Sequence, residues 1–508
     1  MALQWLTLVA TIWLQSVNGT NSSFPAYSSE LKRLLSISQL QLINLASASD
    51  AGKLLGWISG VAAAYLPLPL VLLVGAALGL VGYGLQYLFL THHLSSLSYT
   101  HVLFLTVLAG NSICWINTVC YIIIIRNFPF DRQISVGIST SYIGLSAKIY
   151  TNIVDVVAPT SPSERAKAFL LLNSVLPLVV SVLVAPFARD AKVGKCKKLL
   201  AVGFFTTFVI TVITGVFAVG TAISRFLPRY MILVGMLVMM IMPLVVPLVE
   251  KIRENLQKKC LIRVHDEHFT GFASMENGGK LEEEIGERDI FAVEEIGPKV
   301  MLRRVEFWLY FFVYLFGATL GLVYLNNLGQ IAESRGCSGT SSLVSLSSAF
   351  GFFGRLLPSL LDYYFPKSKL LLSRAGEMGA MMIPMCGAFF LLLNRQDMSL
   401  YISTAIIGIC TGAITSISVS TTTQLFGTKN FGVNHNILVS NIPIGSFLFG
   451  DFAALLYKRG TNNVHGDGNC MGERCYQTTF IIWGSLCGLG TLLAYFLHVR
   501  TKKLHSHA

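Results

Sequence analysis

The sequence predicts an all-α, polytopic membrane protein of 12–14 transmembrane helices, built as two six-helix bundles with about two extra spans between them. Fourteen stretches are apolar over about 20 residues or more, the length that crosses roughly 30 Å of hydrocarbon at ~1.5 Å per residue. The composition agrees, since 53% of the residues are hydrophobic and only 13% are charged. The runs lack the alternation of a membrane β-barrel, and a helix satisfies its own backbone hydrogen bonds in lipid.

The fourteen stretches fall into a group of six, a pair and a second group of six. They predict an N-terminal bundle over residues 1–190, two additional spans over 191–249, and a C-terminal bundle with its tail over 305–508. In order, the predicted spans are residues 2–27, 42–66, 68–90, 101–125, 133–157, 165–187, 199–223, 229–249, 305–328, 340–364, 370–393, 399–424, 432–457 and 476–498.

Lysine and arginine in the connections predict the orientation, because they are retained on the cytoplasmic side of a membrane. The basic clusters at 189–198 and 500–503 both lie on the side of Met1, so both termini are expected in the cytoplasm. The same assignment makes residues 250–304 a cytoplasmic loop. This loop carries 12 acidic and 10 basic residues and is predicted to be a largely mobile linker without a core. The net charge of +12 follows from this topology, so no nucleic-acid partner is expected.

Several spans carry polar residues at helical spacing. In the first span, Thr11, Gln15, Asn18 and Ser22 share one helical face, and span twelve has a similar stripe. Such a face in a bilayer looks either at another helix, through interhelical hydrogen bonds, or at a water-filled cavity. Because both halves carry such faces, we expect a central polar cavity. The candidate substrate-binding residues are Gln15, Asn18, Asn111, Lys148, Thr411, Thr415, Asn434 and His435.

Ionisable residues inside spans are costly to bury and are therefore candidates for coupling or gating. Asp50 and Lys53 lie at i, i+3 in span two, where they could pair with each other. Lys148 lies near the middle of span five and Asp451 deep in span thirteen. Asp50, Asp451 or an anionic solute are the candidate partners of Lys148.

Ten cysteines in 508 residues do not make a disulfide scaffold, and most fall inside spans or on the cytoplasmic side. Cys470 and Cys475 share one glycine-rich outer loop and are predicted to form a disulfide, with Cys337 as a competing partner.

The chain lacks the sequence motifs of the common enzyme classes. It has no zinc-protease motif, no phosphate-binding loop and no nucleophile elbow. We therefore expect no enzymatic activity, no cofactor and no metal site.

One motif after span ten resembles the cytoplasmic motif of the major facilitator superfamily, whose layout is also two groups of six spans. It runs Gly-Arg-Leu-Leu-Pro-Ser-Leu-Leu-Asp over residues 354–362, followed by Lys367 and Lys369. The resemblance implies that Asp362 caps a neighbouring helix and that Arg355 joins a charge network stabilising one transport state. Pro358 departs from the motif, and the equivalent turn of the first half, residues 64–69, carries no charge.

The chain is also similar to the plant nodulin-like branch of that superfamily, which includes nuclear-fusion-defective proteins. The similarity extends over about residues 3–455. Its blocks are Gly-Leu-Val-Gly-Tyr-Gly-Leu-Gln at 79–86, Gly-Asn-Ser-Ile-Cys-Trp-Ile-Asn-Thr at 110–118, Arg-Asn-Phe-Pro at 126–129 and Asn-Asn-Leu-Gly-Gln-Ile at 326–331.

These observations predict a secondary transporter that moves a small solute by alternating access between its two halves. The superfamily resemblance implies an organic anion such as a monocarboxylate, by analogy with oxalate and monocarboxylate carriers. The alternative is a non-transporting receptor or scaffold that retains the transporter fold. The expected partners are the lipid bilayer of the plasma membrane or an endomembrane, the solute and a coupling ion.

Overall fold

The computed structural model describes residues 1–94, 97–158, 161–191, 197–223, 227–267, 294–337, 340–364, 373–461, 472 and 475–506. Within these ranges every regular element is a helix, as predicted. Ten of the described helices are long and apolar enough to cross a membrane, and helical segments lie in all fourteen predicted stretches. The chain is therefore an all-helical, multi-pass integral membrane protein.

The first six spans are built from α-helices and short 3-10 turns. Turns at Gly52–Leu55 and Tyr142–Leu145 break the second and fifth spans near their middles. The helices are α1 (Ala2–Val17), α2 (Pro25–Leu35), α3 (Gln39–Ala51), α4 (Trp57–Tyr65), α5 (Leu68–Leu90), α6 (Tyr99–Asn127), α7 (Arg132–Ser141), α8 (Ser146–Val157) and α9 (Pro162–Val184).

The first span is shorter than the predicted stretch 2–27. Helix α1 ends at Val17, and a 3-10 turn, Thr20–Ser23, follows it. Gly19 packs against Ser146, where a Cβ would lie 2.6 Å from the serine Cβ, so the chain turns at a residue without a side chain. Ser22 therefore lies outside α1, and the predicted polar face of the first span is wrong at its outer end.

The remaining spans follow the same pattern, with π-helical turns at Leu315–Thr319 and Ser446–Asp451. The helices are α10 (Lys197–Ile223), α11 (Arg229–Ile241), α12 (Val245–Glu267), α13 (Pro298–Met301), α14 (Val305–Tyr314), α15 (Leu320–Ser334), α16 (Thr340–Tyr364), α17 (Arg374–Leu391), α18 (Asp397–Phe426), α19 (Phe431–Val439), α20 (Asn441–Gly445), α21 (Phe452–Thr461) and α22 (Gln477–Ser506).

The two π-helical turns pack against each other inside the C-terminal half. The Phe316 and Phe449 ring centroids lie 6.4 Å apart. Asn441 donates its side-chain amide to the carbonyl of Phe311 at 3.0 Å, and its oxygen accepts the hydroxyl of Thr319. In lipid a backbone group released by a π-turn needs such a partner. Asn441 therefore stabilises the break in span nine.

Glycines let the helices within each half approach closely. A Cβ at Gly75 of α5 would lie 2.5 Å from the Cβ of Trp115 on α6, and a Cβ at Gly412 of α18 would lie 2.4 Å from the carbonyl oxygen of Gly351 on α16. Neither position has room for a side chain. These contacts replace hydrophobic driving force, which is weak between helices in lipid.

The two halves meet along two seams. In the first seam, α4 packs on α19, and a Cβ at Gly60 would lie 2.3 Å from the carbonyl carbon of Gly432. In the second seam, α7 packs on α16, and the Ser359 hydroxyl donates to the carbonyl of Gln133 at 2.7 Å. In the first seam backbone packs on backbone, and in the second seam a side-chain hydroxyl bonds to a backbone carbonyl.

The extra pair of spans covers the second seam. On the side of the N-terminal half, Thr211 of α10 shares a hydrogen bond of 3.3 Å with the hydroxyl of Tyr142. On the side of the C-terminal half, the Tyr363 hydroxyl donates to the carbonyl of Ala201 at 3.3 Å, and the Tyr363 ring packs on Phe208 with centroids 5.6 Å apart. Helix α10 therefore contacts both halves at once.

Ion pairs show which ends of the spans share one face of the molecule. The amino group of Met1 lies 2.9 Å from the Glu254 carboxylate. The Arg500 side chain of the last span lies 2.5 Å from Glu306 at the start of span nine. We call this face inner and the opposite face outer, and the sequence predicts that the inner face is cytoplasmic.

Candidate functional site

Arg355 lies inside the membrane region between the two halves. It precedes Tyr364, the inner end of α16, by nine residues, or ~13 Å along a helix. Its guanidinium donates to the carbonyl of Gly351, four residues back, at 3.3 Å. Among the described residues no carboxylate lies within ion-pair distance of Arg355, although an isolated charge in a bilayer is costly. Its charge therefore requires water or a solute.

Helices of both halves surround Arg355. Tyr121 of α6 and Tyr314 of α14 lie close to its guanidinium. Its backbone is approached by α18, since a Cβ at Gly412 would lie 3.0 Å from the Arg355 nitrogen, and by α7 at Gly137. Arg355 nevertheless keeps part of its surface exposed. Because neighbouring helices close in from both halves, we infer that this exposed part faces an internal space.

Three other partly exposed polar residues accompany Arg355, and we call the four the central polar cluster. Asn117 and Thr415 lie ten and eleven residues from the inner ends of α6 and α18, so they share the depth of Arg355. Tyr121 follows Asn117 by one helical turn. Together the four residues offer a cation, a carboxamide and two hydroxyls.

Aromatic and hydrogen-bonded contacts join the central polar cluster to the C-terminal half. The Tyr121 ring packs edge-on against the His435 ring, with centroids 5.5 Å apart. His435 Nδ1 and the Thr422 hydroxyl share a hydrogen bond of 3.1 Å, and Thr422 also contacts the Tyr310 hydroxyl at 3.1 Å. Tyr310 donates to the carbonyl of Ser418 at 2.6 Å. The wall of the cluster is thus a continuous polar network.

A second polar stripe lies on α15 near its outer end, Ser334. Asn326, Gln330 and Glu333 lie at i, i+4, i+7 on α15, and all three are exposed. Exposed polar side chains within a span face water rather than lipid. We infer an aqueous outer vestibule along α15. The i, i+4, i+7 spacing could have predicted this stripe, but it was not among the candidates.

The inner side is closed by contacts between the halves. The Asn436 amide of α19 donates to the Thr118 hydroxyl of α6 at 2.7 Å and to Ser59 of α4 at 3.4 Å. On the second seam, the Gln133 amide of α7 donates to the Ser416 hydroxyl of α18 at 3.2 Å. These contacts and the Gly60–Gly432 approach join the halves on the inner side, and we call them the inner gate.

Four predicted substrate-binding residues lie at or near the central cluster. Asn18 donates to the Asn117 oxygen at 2.9 Å, and Thr415 belongs to the cluster itself. Gln15 is fully buried with no hydrogen-bond partner for either amide atom among the described residues, and the buried Thr411 hydroxyl is likewise unpartnered there. These unpartnered groups are candidate sites for water or solute.

The other predicted substrate-binding asparagines have structural contacts. Asn111 donates to the carbonyl of Gly52 at 2.9 Å and accepts from Trp115 Nε1 at 2.8 Å, so it supports the break in span two. Asn434 donates to the carbonyl of Ile296 at 2.9 Å at the inner end of α19. His435, in contrast, touches the central polar cluster through Tyr121.

The structure gives Lys148 a different partner from those expected. Its ammonium group donates to the carbonyl of Thr221 on α10 at 3.3 Å. The expected partner Asp50 instead lies 2.6 Å from Lys53, as an i, i+3 pair across the Gly52 break. Asp451, the other expected partner, is exposed. Lys148 therefore attaches the extra pair of spans to the fifth span.

The Asp50–Lys53 pair lies at the boundary between the halves. The second carboxylate oxygen of Asp50 accepts a hydrogen bond of 3.1 Å from the hydroxyl of Ser446 on span thirteen. The side chains of the pair are only 10% and 12% exposed. This pair is thus an intramembrane charge contact between the N-terminal and C-terminal halves.

The charge network of the cytoplasmic motif differs from the one that the resemblance implied. Asp362 accepts two hydrogen bonds from Arg374, at 2.9 and 2.5 Å, rather than capping a helix. Arg374 also lies 2.8 Å from Glu377. Arg355 is not part of this network, because it lies deeper in the membrane than the helix ends that hold these three residues.

The polar stripe of span twelve contacts mainly span nine. The Tyr324 and Thr404 hydroxyls share a hydrogen bond of 2.8 Å, and Tyr310 contacts Ser418 and Thr422. Thr404, Ser418 and Thr422 therefore serve interhelical hydrogen bonding, whereas Thr415 belongs to the central polar cluster.

The remaining predicted groups concern cysteine and metal. Cys475 is disulfide-bonded and Cys337 is a free thiol. Cys470 lies outside the described residues, so its pairing with Cys475 stays a prediction. Across the described ranges no cluster of three or more His, Cys, Asp or Glu side chains could hold a metal ion.

Comparisons with known proteins place the chain in a family. The family described as Nodulin-like matches residues 4–249, and the C-terminal domain of NFD4 matches residues 289–507. The chain is 38% identical to Protein NUCLEAR FUSION DEFECTIVE 4 of Arabidopsis thaliana, over 99% of this chain and 89% of that protein.

Solved structures show the same fold at low sequence identity. The proton:xylose symporter XylE, of the major facilitator superfamily, aligns with 97% of this chain and 95% of its own at a TM-score of 0.57 and 13% identity. The Escherichia coli fucose:proton symporter FucP aligns with 97% of this chain and 98% of its own, at a TM-score of 0.54 and 12% identity. The chain belongs to the nodulin-like family of NUCLEAR FUSION DEFECTIVE 4, and it has the fold of the major facilitator superfamily protein XylE.

Proposed function

We propose that the protein is a secondary transporter of a small organic anion such as a monocarboxylate, with Arg355 as the group that binds the carboxylate. The observation that carries the proposal is the placement of Arg355 between the halves without an acidic partner among the described residues. A guanidinium has five N–H donors in a planar fork that fits a carboxylate in a bidentate manner. The bond to Gly351 occupies one donor and leaves the others for the solute.

The mechanism is alternating access around the central polar cluster. An anion entering along the stripe of α15 would reach Arg355 from the outer face while the inner gate is closed. Asn117, Tyr121 and Thr415 would then orient it by hydrogen bonds. Opening of the inner gate and closure of the vestibule would release the anion on the inner side. The protein would act in transport rather than in catalysis.

We further propose that the coupling ion is a proton. XylE and FucP are proton symporters by name, and Asp50 supplies a carboxylate at the seam of this chain. Protonation of Asp50 would weaken both its pairing with Lys53 and its acceptance from Ser446. A change in proton occupancy would therefore alter a contact between the halves.

Counterflow in proteoliposomes tests the proposal. Radiolabelled pyruvate serves as the monocarboxylate and xylose as a neutral solute of comparable size. Wild-type protein should exchange pyruvate in preference to xylose, and Arg355→Lys, which keeps the charge but loses the fork, should raise the KM for pyruvate. A hydrogen bond to a charged group contributes about 1.5–3 kcal/mol, so the expected increase is about 10- to 150-fold.

The matched control is Arg126→Gln, because Arg126 is an exposed inner arginine with an ion pair of 3.6 Å to Asp190, which is also exposed. This variant should exchange pyruvate like the wild type. Equal KM values for wild-type and Arg355→Lys protein would refute the role of Arg355. Folded protein that exchanges no solute across a panel of carboxylates would instead favour the receptor or scaffold.

A further inference from the structure

The end of the polar loop, residues 294–297, is bound to the inner end of the C-terminal half, and we call these four residues the strap. Ile296 is only 3% exposed. Its amide donates to the carbonyl of Phe426, the last residue of α18, at 3.1 Å. Its own carbonyl accepts from Asn434 of α19 at 2.9 Å. The strap therefore joins the two helices that the turn at residues 427–430 connects, and the prediction of a mobile linker is wrong for this part of the loop.

Glu295 of the strap fills an anion site made by that turn. One carboxylate oxygen accepts from the amide of Thr428 at 3.0 Å and from the Thr428 hydroxyl at 3.2 Å, and the other accepts from the amide of Lys429 at 2.8 Å. Successive backbone amides pointing at one spot form a concave binding site for an anion. Three donors from two residues thus hold one carboxylate of the same chain.

The turn is shaped to admit this carboxylate. Gly427 has a φ of +79°, a conformation that other residues rarely adopt. A Cβ at Gly427 would lie 2.3 Å from a carboxylate oxygen of Glu295. Glycine is therefore required twice, once for the backbone and once for the space that the carboxylate occupies.

The strap lies beside the inner gate and next to the N-terminal half. Helix α19 begins directly after the turn and carries Gly432 and Asn436, which contact the N-terminal half across the first seam. From the N-terminal half, Arg132 at the start of α7 interacts favourably with the charge of Glu295. The strap thus contacts the C-terminal half by hydrogen bonds, and its carboxylate lies near Arg132 of the N-terminal half.

We propose that the strap is a tethered anionic ligand of the 427–430 turn that holds the inner gate closed, and that its release is a step in opening toward the inner face. The loop that joins the two halves then controls access through its own last residues. This inference rests on the alternating access of the proposed function, but it does not depend on which solute is carried.

Cysteine accessibility measures the inner gate directly. Ser59→Cys places a thiol at a fully buried gate position that contacts Thr118 and Asn436. A water-soluble maleimide is added from the inner side, in inside-out vesicles. The labelling that the native cysteines contribute is measured in the protein without Ser59→Cys. Glu295→Gln should raise the labelling rate of the Ser59→Cys thiol at least threefold, and Glu295→Ala should raise it further, because alanine cannot accept any of the three hydrogen bonds.

The matched control is Glu294→Gln, which removes the neighbouring charge from the same strap. The exposed Glu294 lies 2.6 Å from Arg304 and makes no contact with the turn. In the Ser59→Cys background, Glu294→Gln should label at the same rate as Ser59→Cys alone. Equal labelling of the Glu295 and Glu294 variants, with both proteins monodisperse on gel filtration, would overturn the inference.

Gly427→Ala provides a second route if a Glu295 variant fails to fold, since it displaces the carboxylate without removing it, and it should also increase labelling. Because labelling requires no solute, a labelling result that refutes the role of the strap would not affect the interpretation of the pyruvate experiment. A failure of pyruvate exchange would likewise leave the labelling result standing.

Discussion

The close approach of Gly60 to Gly432 provides a sensitive test of the inner gate. A methyl group added at Gly60 would lie 2.3 Å from the Gly432 carbonyl carbon and 2.4 Å from its oxygen. Ordinary contacts between such atoms begin near 3.4 Å, so α4 and α19 would have to separate by about 1 Å. The obstructing atoms are backbone, and no rotation of a side chain can relieve the clash.

The cost of this clash falls on the closed state of the inner gate, because α4 and α19 belong to opposite halves. Overpacking of one methyl group typically costs about 1–3 kcal/mol. Since about 1.4 kcal/mol corresponds to a factor of ten, Gly60→Ala should shift the equilibrium toward the inner-open state by about 5- to 150-fold.

A cysteine reporter on the second seam measures this shift at a position outside the Gly60–Gly432 contact. Ser416→Cys places a thiol at the buried position that accepts from Gln133, and labelling from the inner side should accelerate in the Gly60→Ala background. Gly387→Ala is the control, because a Cβ at Gly387 meets no atom within 4 Å. Identical labelling in both backgrounds would refute the assignment of the first seam to the gate.

Three further outcomes are expected. Lys53→Met should lower the melting temperature of the detergent-solubilised protein by leaving Asp50 unpaired, and adding Asp50→Asn should recover most of the loss; a double variant no more stable than the single one would contradict the ion pair. Lys148→Met should keep wild-type pyruvate exchange, because this lysine bonds to the extra spans; loss of exchange at normal abundance would return it to the solute site. Peptide mapping without reductant should find Cys470 linked to Cys475, and recovery of Cys470 as a free thiol would exclude the pairing.

The membrane helices were predictable because hydropathy and length are local properties of the sequence. The depth of Arg355 was predictable from the bounds of span ten, 340–364, although the motif resemblance placed the residue after that span. The lack of a carboxylate near Arg355 was not predictable, because it depends on which helices of the other half pack around this residue. The motif resemblance therefore assigned Arg355 to a charge network that Arg374 occupies instead.

Local composition also hides the strap. Acidic and basic residues dominate 250–304, and the average of such a segment predicts no burial. Within the strap, Ile296 is nevertheless buried against the helix end at Phe426. One apolar side chain and one well-placed carboxylate cannot be recognised from an average over 55 positions.

The extra pair of spans makes the two seams unequal in their surroundings. Helix α10 sheathes the second seam with protein, whereas residues beside the first seam, such as Leu54 and Phe447, remain 41% and 44% exposed. Acyl chains can therefore press on one side of the moving interface but not on the other. Changes in bilayer thickness or lateral pressure would therefore act on the first seam and not on the second. The rate of opening should depend on lipid composition through the first seam alone.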